Sequence, residues 1–552
     1  MEGILVTFAQ IFGLMLILKV FPRPLQRAKF AWRHLAERRT LCIVLAGVVP
    51  VVLHLAFFPR PEPAMHDEFA YLLQADTFAH GRLANPPRPL WEHFEQFHVL
   101  SQPVFAAKYQ PLPAVFLAAG EIAGSPYYGV LLSAAVTFAA ALWMLYGWLP
   151  PSYALFGWVI AMARWGPATY WMNSYWGGLV PALGGVLVIG AWPRLRKQIT
   201  VRDSVLMGLG FVVLAASRPY EGFVLSLAAV VTLLIANRGS ANPNAWRWIA
   251  YAAPVVAVGG AMMLYYDFKV TGRALDLPYF AHDRQYMAVS NFVFVPPKEH
   301  PPSYRHPEFA RLYRDWFAKD DREYHAHPWR SQAEKLGSLW TFYCGGWPLS
   351  LGLVCAPLAW KGRLRWVLIM LAIWMAGLGL LAEFLPHYAA PAAGLILLAQ
   401  VAGLHWLRYW NPQGKPTGSL LARVAVLAIP LLFVTALIRK PEGYTTGDAS
   451  FKALRQHLIA QLTAEPGKHL VLVRYAPNHN PYMDFVVNGA GLDHESILWA
   501  RAMSQPSDEE LIERFRDRHI WTLDGDAISP ELKCVSGCAT NAQAAATKAP
   551  VQ

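Results

Sequence analysis

The chain has 552 residues, 55% of them hydrophobic and only 15% charged, far below the roughly 25% charged share of soluble domains. That balance excludes a soluble globular protein and points to a polytopic membrane protein. The formal net charge of +12 is not the mark of a nucleic-acid binder, because the cations gather in short loops between apolar runs, where they mark the cytoplasmic side and offer contact to anionic lipids.

About twelve spans are predicted by apolar length and flanking charge, near 3–20, 40–57, 127–148, 152–165, 177–193, 203–217, 222–237, 248–266, 338–359, 366–385, 388–407 and 421–438. The first run, Ile4 to Val20, has no basic n-region and no small-residue cleavage site, so it reads as a retained span with its N-terminus outward. Lys19, Arg23, Arg27, Lys29, Arg33, Arg38 and Arg39 follow it. Arg194, Arg196, Lys197 and Arg202 fill a later short loop, and Lys361, Arg363 and Arg365 another. With these loops inside, the stretches 59–126 and 267–337 and everything after Lys440 fall outside. The predicted fold class is an all-α polytopic domain of about 11–13 transmembrane helices over residues 1–440. A small extracytoplasmic α/β domain over 441–540 and a disordered tail over 541–552 complete it.

The outer loop 59–126 has structure of its own. "DEFAYLLQADTFAHG" has helical spacing and ends at Gly81. "PLPAVFLAAGEIAG" is too short to span, so it lies along the interface or re-enters. The loop 267–337, rich in Pro, His and Tyr, is long enough to be a lid or binding segment. In the C-terminal part, "HLVLVRYA" and "HIWTL" read as strands and "SDEELIERFRDR" as a capped helix. Cys42, Cys344 and Cys355 sit in apolar runs as packing residues, while Cys534 and Cys538 are either a disulfide or two free thiols.

Asp67 and Glu68 stand side by side at the outer end of a span. Acids in a first turn are commonly capping residues. Held half-desolvated at a membrane mouth, a carboxylate is costly, and such placements often mark function. It could take a proton from an attacking hydroxyl. Arg218 in "SRPYEG" and Lys108 in "AAKYQPLP" are cations on the same side, suited to a phosphate, with snorkelling or a local pair to Glu221 as the plainer reading of Arg218. Arg82 and Arg284 are weaker candidates of the same kind. His387 in "LPHYAAP" is more often an ordinary interfacial residue than a functional one. Trp171, Tyr175 and Trp176 could stack a sugar, although an interfacial aromatic belt explains them more cheaply. Glu92, His93, Glu95 and His98 lack metal-helix spacing, since the two His are five apart.

An Asp-Glu pair in the first large outer loop, after a span with a basic inner flank, resembles the GT-C membrane glycosyltransferases. It is similar to their protein O-mannosyltransferase and aminoarabinose transferase branch, of glycosyltransferase family 39 type. The likeness covers roughly residues 40–240, and the rest in layout alone. It implies a bacterial inner-membrane enzyme of the cell envelope, a hexosyl- or pentosyltransferase. Such an enzyme moves a sugar from a polyprenyl-phosphate donor to a lipid, glycan or protein acceptor on the outer face. The resemblance makes Asp67 the general base, with Glu68 assisting or orienting it. Arg218, Lys108, His387, Arg82 and Tyr175 are then the candidate substrate-binding residues. No cofactor is expected, with a divalent metal left open. The rivals are a transporter or flippase of lipid-linked sugars, whose polar groups would lie near the midplane in repeated halves, and an inactive scaffold whose C-terminal domain binds a partner.

Overall fold

The computed structural model describes residues 13–15, 22–238, 246–360, 362–441 and 443–538, with the side chains of 22–25 excepted. The first predicted span apart from residues 13–15, Lys361 and the tail 541–552 lie outside the described residues.

The chain is a multi-pass membrane protein. Seven of its described helices are long and apolar enough to cross a bilayer: Arg39–Phe57, Pro126–Trp148, Leu179–Lys197, Pro219–Asn237, Arg247–Thr271, Pro386–Leu407 and Thr417–Arg439. The first elements are labelled α1 (Pro22–Glu37), α2 (Arg39–Phe57), α3 (His66–Ala79), α4 (Pro111–Ile122), α5 (Pro126–Trp148), α6 (Pro151–Trp165) and α7 (Leu179–Lys197). Ser125 caps α5 by accepting from the Tyr127 N–H, with Pro126 in the first turn, where its missing N–H costs nothing. The segment Pro386–Leu407 is the innermost, with 89% of its apolar window buried, so its Gly and Ala positions meet protein rather than lipid. Trp148 and Trp192 stack 5.2 Å apart in the core beside it.

One predicted element differs from expectation. The run 338–359 is not one span: it breaks into Pro328–Tyr343, Trp347–Val354 and a short 3-10 turn. The reason is local, since Gly345 sits at φ +60° and Pro348 follows two residues after Gly346. The apolar segment at 111–122 is a helix folded back on α5. A Cβ on Gly129 would lie 2.1 Å from the Phe116 carbonyl oxygen, so only glycine allows the two backbones this close.

The C-terminal domain carries a four-stranded sheet. After two short strands of the loop 59–126, β1 (Val99–Leu100) and β2 (Ala106–Ala107), come β3 (His469–Arg474), β4 (Ile497–Arg501), β5 (His519–Asp524) and β6 (Leu532–Ser536). Their order is β4-β3-β5-β6, with β3 parallel to both neighbours and β6 antiparallel to β5. β3 and β5 and the helix Gln505–Arg514 match the predicted elements; β4 and β6 are additions. Cys534 and Cys538 form a disulfide. The domain is locked to the loop 267–337 by Arg501, which is buried and paired with both Glu308 of that loop and Asp484 of its own domain. Ala490 N–H donates to Asp76 at 2.6 Å, tying the same domain to α3.

Candidate active site

The first turn of α3 sends its two carboxylates in different directions. Glu68 is fully buried and accepts four hydrogen bonds: from the backbone N–H of Ala64 (3.0 Å), Met65 (3.1 Å) and Tyr175 (3.1 Å), and from the Thr446 hydroxyl (2.9 Å). The Met65 bond is the reaching-back half of a capping box. The Tyr175 and Thr446 bonds fasten the loop before α7 and the linker to the C-terminal domain onto α3. Burial pushes this carboxyl up, and its four donors pull against that.

Asp67 points into the space between loops, with 16% of its side chain exposed. One oxygen accepts from the Tyr109 hydroxyl. The other lies 3.1 Å from His66 Nδ1 and 3.8 Å from His98 Nε2. His98 is aimed there by a left-handed backbone (φ +62°). Its N–H donates to the Tyr313 hydroxyl at 2.9 Å, and its carbonyl takes the Lys108 N–H. The Tyr482 ring from the C-terminal domain stacks on His66, 5.0 Å away.

Burial alone would raise the Asp67 carboxyl, but His98, His66 and the Tyr109 hydroxyl outweigh it and hold the group below its ordinary range. Burial and the neighbouring Lys108 charge push His98 well below the ordinary histidine value.

Two cations belong to the surrounding cluster, Lys108 within electrostatic reach of Asp67 and Arg218 within reach of Lys108. Lys108 is buried, with its ammonium 5.1 Å from the Tyr279 ring centre. Burial lowers it, and Asp283, Asp67 and Glu383 pull it back up. The Arg218 guanidinium lies 4.2 Å over the Tyr388 ring and 3.8 Å from Glu221, close enough for its charge to act on Lys108. The local pair to Glu221 is thus present, yet at 3.8 Å it leaves Arg218 donors unengaged. His387 is buried behind them, its Nδ1 3.1 Å from the Tyr170 hydroxyl and its ring 4.5 Å from Trp176. Glu383 completes the cluster, pushed up to about 7 by burial against the pull of Lys108.

Other predicted residues are not brought here. Arg82 follows the far end of α3, fifteen residues or about 22 Å along the helix direction from Asp67. Arg284 is spent on a two-pronged pair with Asp276. Trp171 and Tyr175 are interior residues rather than an interfacial belt, and the Tyr175 hydroxyl donates to the Pro61 carbonyl at 3.0 Å. The cluster Glu92, His93, Glu95 and His98 does not assemble. His93 holds the Arg501 carbonyl and the Ser507 hydroxyl, Glu92 pairs with Arg305, and Glu95 accepts from Tyr286. Only His98 reaches Asp67. Donor atoms of His66, Asp67 and His98 do lie within 4.8 Å of one another, a set of three able to share one divalent cation.

His66, His98, Tyr109 and Glu383 were not anticipated as site residues. The only sequence signal for His66 is its adjacency to Asp67, and for Glu383 an acid four residues before His387.

No protein-family model matches the chain, and none of the curated proteins matches it. Solved structures do. ArnT from Cupriavidus metallidurans bound to undecaprenyl phosphate is similar over 88% of this chain and 92% of its own, at TM-score 0.50 and 13% identity. The apo state of the same protein gives TM-score 0.48 at 13% identity, over 87% and 88%. The chain shares the overall fold of ArnT. At this identity the likeness speaks for the fold alone, and what the site does rests on its geometry.

Proposed function

We propose that the protein transfers a sugar from a polyprenyl-phosphate carrier to an acceptor at the outer membrane face, with Asp67 as general base. The observation that carries this reading is a mostly buried carboxylate held below its ordinary range, with the buried Lys108 ammonium in electrostatic reach of it and Arg218 in reach of Lys108. Those are the two charges the reaction calls for. The acceptor hydroxyl or amine gives its proton to Asp67 as its oxygen or nitrogen bonds to the anomeric carbon. The bond from that carbon to the carrier phosphate breaks, with inversion. The leaving group is already a phosphate, so cations rather than an acid stabilise its charge. The ArnT structure holding undecaprenyl phosphate supports the carrier class.

Glu68 is a positioning residue in this reading: its four donors hold α3 so that Asp67 faces the cations. His387 buttresses the Arg218 side through Tyr170 and Trp176. The extracytoplasmic placement, in a bacterial inner membrane, rests on the basic residues Arg39, Arg194 and Arg196 standing at the ends of α2 and α7 opposite Asp67. A transporter is disfavoured because the polar cluster lies at helix ends rather than at midplane.

The test is the purified chain in lipid with a polyprenyl-phosphate sugar and a membrane-extract acceptor, following release of polyprenyl phosphate. Release that stops in Asp67→Asn supports the reading; release at the parent rate ends it. A chelator arm separates the two uses of the His66, Asp67 and His98 set. A base works unchanged in EDTA, within about twofold, whereas a required cation held there would make EDTA abolish turnover.

A further inference from the structure

A second site lies at the opposite ends of the spans that bear Asp67. α2 runs from Arg39 to Phe57, shortly before the acidic pair. α5 runs away from Pro126 to Trp148, and α7 away from the loop that binds Glu68 to Lys197. Nineteen residues of α2 put its two ends about 28 Å apart. Where α2 begins and α5 and α7 end, a cavity of about 670 Å³ opens, walled by Arg39, Arg194, Arg196, Lys197 and Arg363. No Asp or Glu is among its lining residues.

Three of these cations are fixed in place. The Arg194 guanidinium donates to the Gly190 and Trp143 carbonyls at 2.6 and 2.7 Å and lies 4.1 Å over the Trp143 ring. Arg363 donates to the Trp148 carbonyl, and Arg39 lies 5.5 Å over Tyr146. Arg196 and Lys197 are exposed at the rim. Five like charges without a lining carboxylate repel one another, and an anion in the cavity relieves that repulsion. Guanidinium forks match phosphate oxygens in particular.

The neighbouring helix places the cavity mouth at the membrane surface. α1 exposes Phe30 (74%) beside exposed Arg27, Lys29 and Arg33, the make-up of a helix lying in the headgroup layer. It is fastened there by Trp32, whose Nε1 donates to the Ser152 carbonyl at 3.0 Å. Ser152 adjoins Pro150 and Pro151, which line the cavity.

We propose that this cavity binds the phosphates of an anionic phospholipid headgroup in the leaflet opposite the Asp67 site. Its volume and five cations suit a headgroup with two phosphates. The inference does not depend on the transferase reading.

The experiment uses the full chain, delipidated in neutral detergent and titrated with cardiolipin as the two-phosphate probe, with retention read by native mass spectrometry. One basic residue beside an anionic headgroup is worth roughly fivefold in binding, so Arg196→Gln with Lys197→Gln should weaken retention about 30-fold. Arg423→Gln, an exposed cation outside the cavity, should leave it unchanged. Phosphatidylcholine should be retained by none of them. Thermal unfolding of each variant reports folding, and the single exposed change Arg196→Gln, expected to cost about fivefold, serves if the double variant fails to fold. Equal retention by parent and folded variant overturns the site. Displacement of cardiolipin by millimolar pyrophosphate, with no return on raising the lipid, overturns the lipid occupant in favour of a free phosphate.

Discussion

At the Asp67 end of α2 and α7, the charged groups are buried and mixed in sign: Asp67, Glu68, Lys108 and Arg218. At the other end of the same helices, Arg39, Arg196 and Lys197 are exposed and all positive. The difference is one of mechanism. Each buried ion costs several kcal/mol of lost hydration and is kept only where partners are built around it, as Tyr109 and His66 are built around Asp67. Such a cluster holds fixed geometry and is screened little by salt. The basic end acts by summed charge, which falls off within about 10 Å at 0.1 M salt. Substitution should therefore act sharply and individually at one end, and gradually and additively at the other.

The sharpest break is Asp67→Asn. Asp67 is not the helix cap, which is Met65, and Asn keeps an acceptor for the Tyr109 hydroxyl, so the fold should survive while a base worth about 10²–10⁴-fold is removed. We expect turnover to fall by that factor with an unchanged unfolding temperature, and to fall equally at 0.05 and 0.5 M salt. A loss that high salt reproduces in the parent would place Asp67 among long-range charges instead.

Next is Arg218→Ala. Removing a buried fork that contacts a phosphate costs 2 kcal/mol or more, about 30-fold in apparent affinity for the polyprenyl-phosphate sugar. Titration of donor at saturating acceptor should show it, with acceptor titration little changed. An unaltered donor affinity would leave Arg218 as a partner of Glu221 and Tyr388 only.

Glu68→Gln should be felt in stability more than in rate. The amide keeps one acceptor oxygen where four donors converge, so losing part of the set costs about 1–3 kcal/mol. Thermal unfolding should show a clear drop while the rate per folded molecule stays within about tenfold. The reverse pattern, normal stability with a rate as low as that of Asp67→Asn, would make Glu68 the base.

Much of this site was legible in the sequence because it depends on side and sign. Asp67, Lys108 and Arg218 each stand where an apolar run meets a predicted outer segment, and Lys108 lies within electrostatic reach of the other two. What was not legible depends on loop closure. His98 reaches Asp67 through a left-handed residue and the β1–β2 pairing that follows, which no periodicity announces. Tyr482 arrives from a domain more than 400 residues away in sequence. The misread run 338–359 has the opposite cause: apolar length outweighed "CGGWP", whose two glycines and proline end the helix. In the C-terminal domain, β3 and β5 were legible as apolar runs, while β4, "ILWAR", is too short to show alternation.

The finest test of the contrast is the pH dependence of stability through Glu383. Its folded value, about 7, lies above the ordinary 4.5, because burial penalises the charged form and Lys108 only partly compensates. Between pH 4.5 and 7 the folded state therefore holds the Glu383 proton more tightly than the unfolded state does. By linkage, stability from this group is full below pH 4.5 and is lost as pH rises through 7. The distance from 4.5 to about 7, at about 1.4 kcal/mol per pH unit, puts the loss at no more than about 3.5 kcal/mol. Glu383→Gln cannot ionise, so it should be relatively more stable than the parent at pH 8 and no more stable at pH 5. Arg196→Gln at the basic end should shift neither comparison, since its charge is constant across this range. Denaturation of the three proteins at pH 5, 6, 7 and 8 measures it. A parent-to-Glu383→Gln difference that stays flat with pH would mean that Lys108 fully compensates the burial, and that the Asp67 end is a balanced ion cluster with no titrating acid in it.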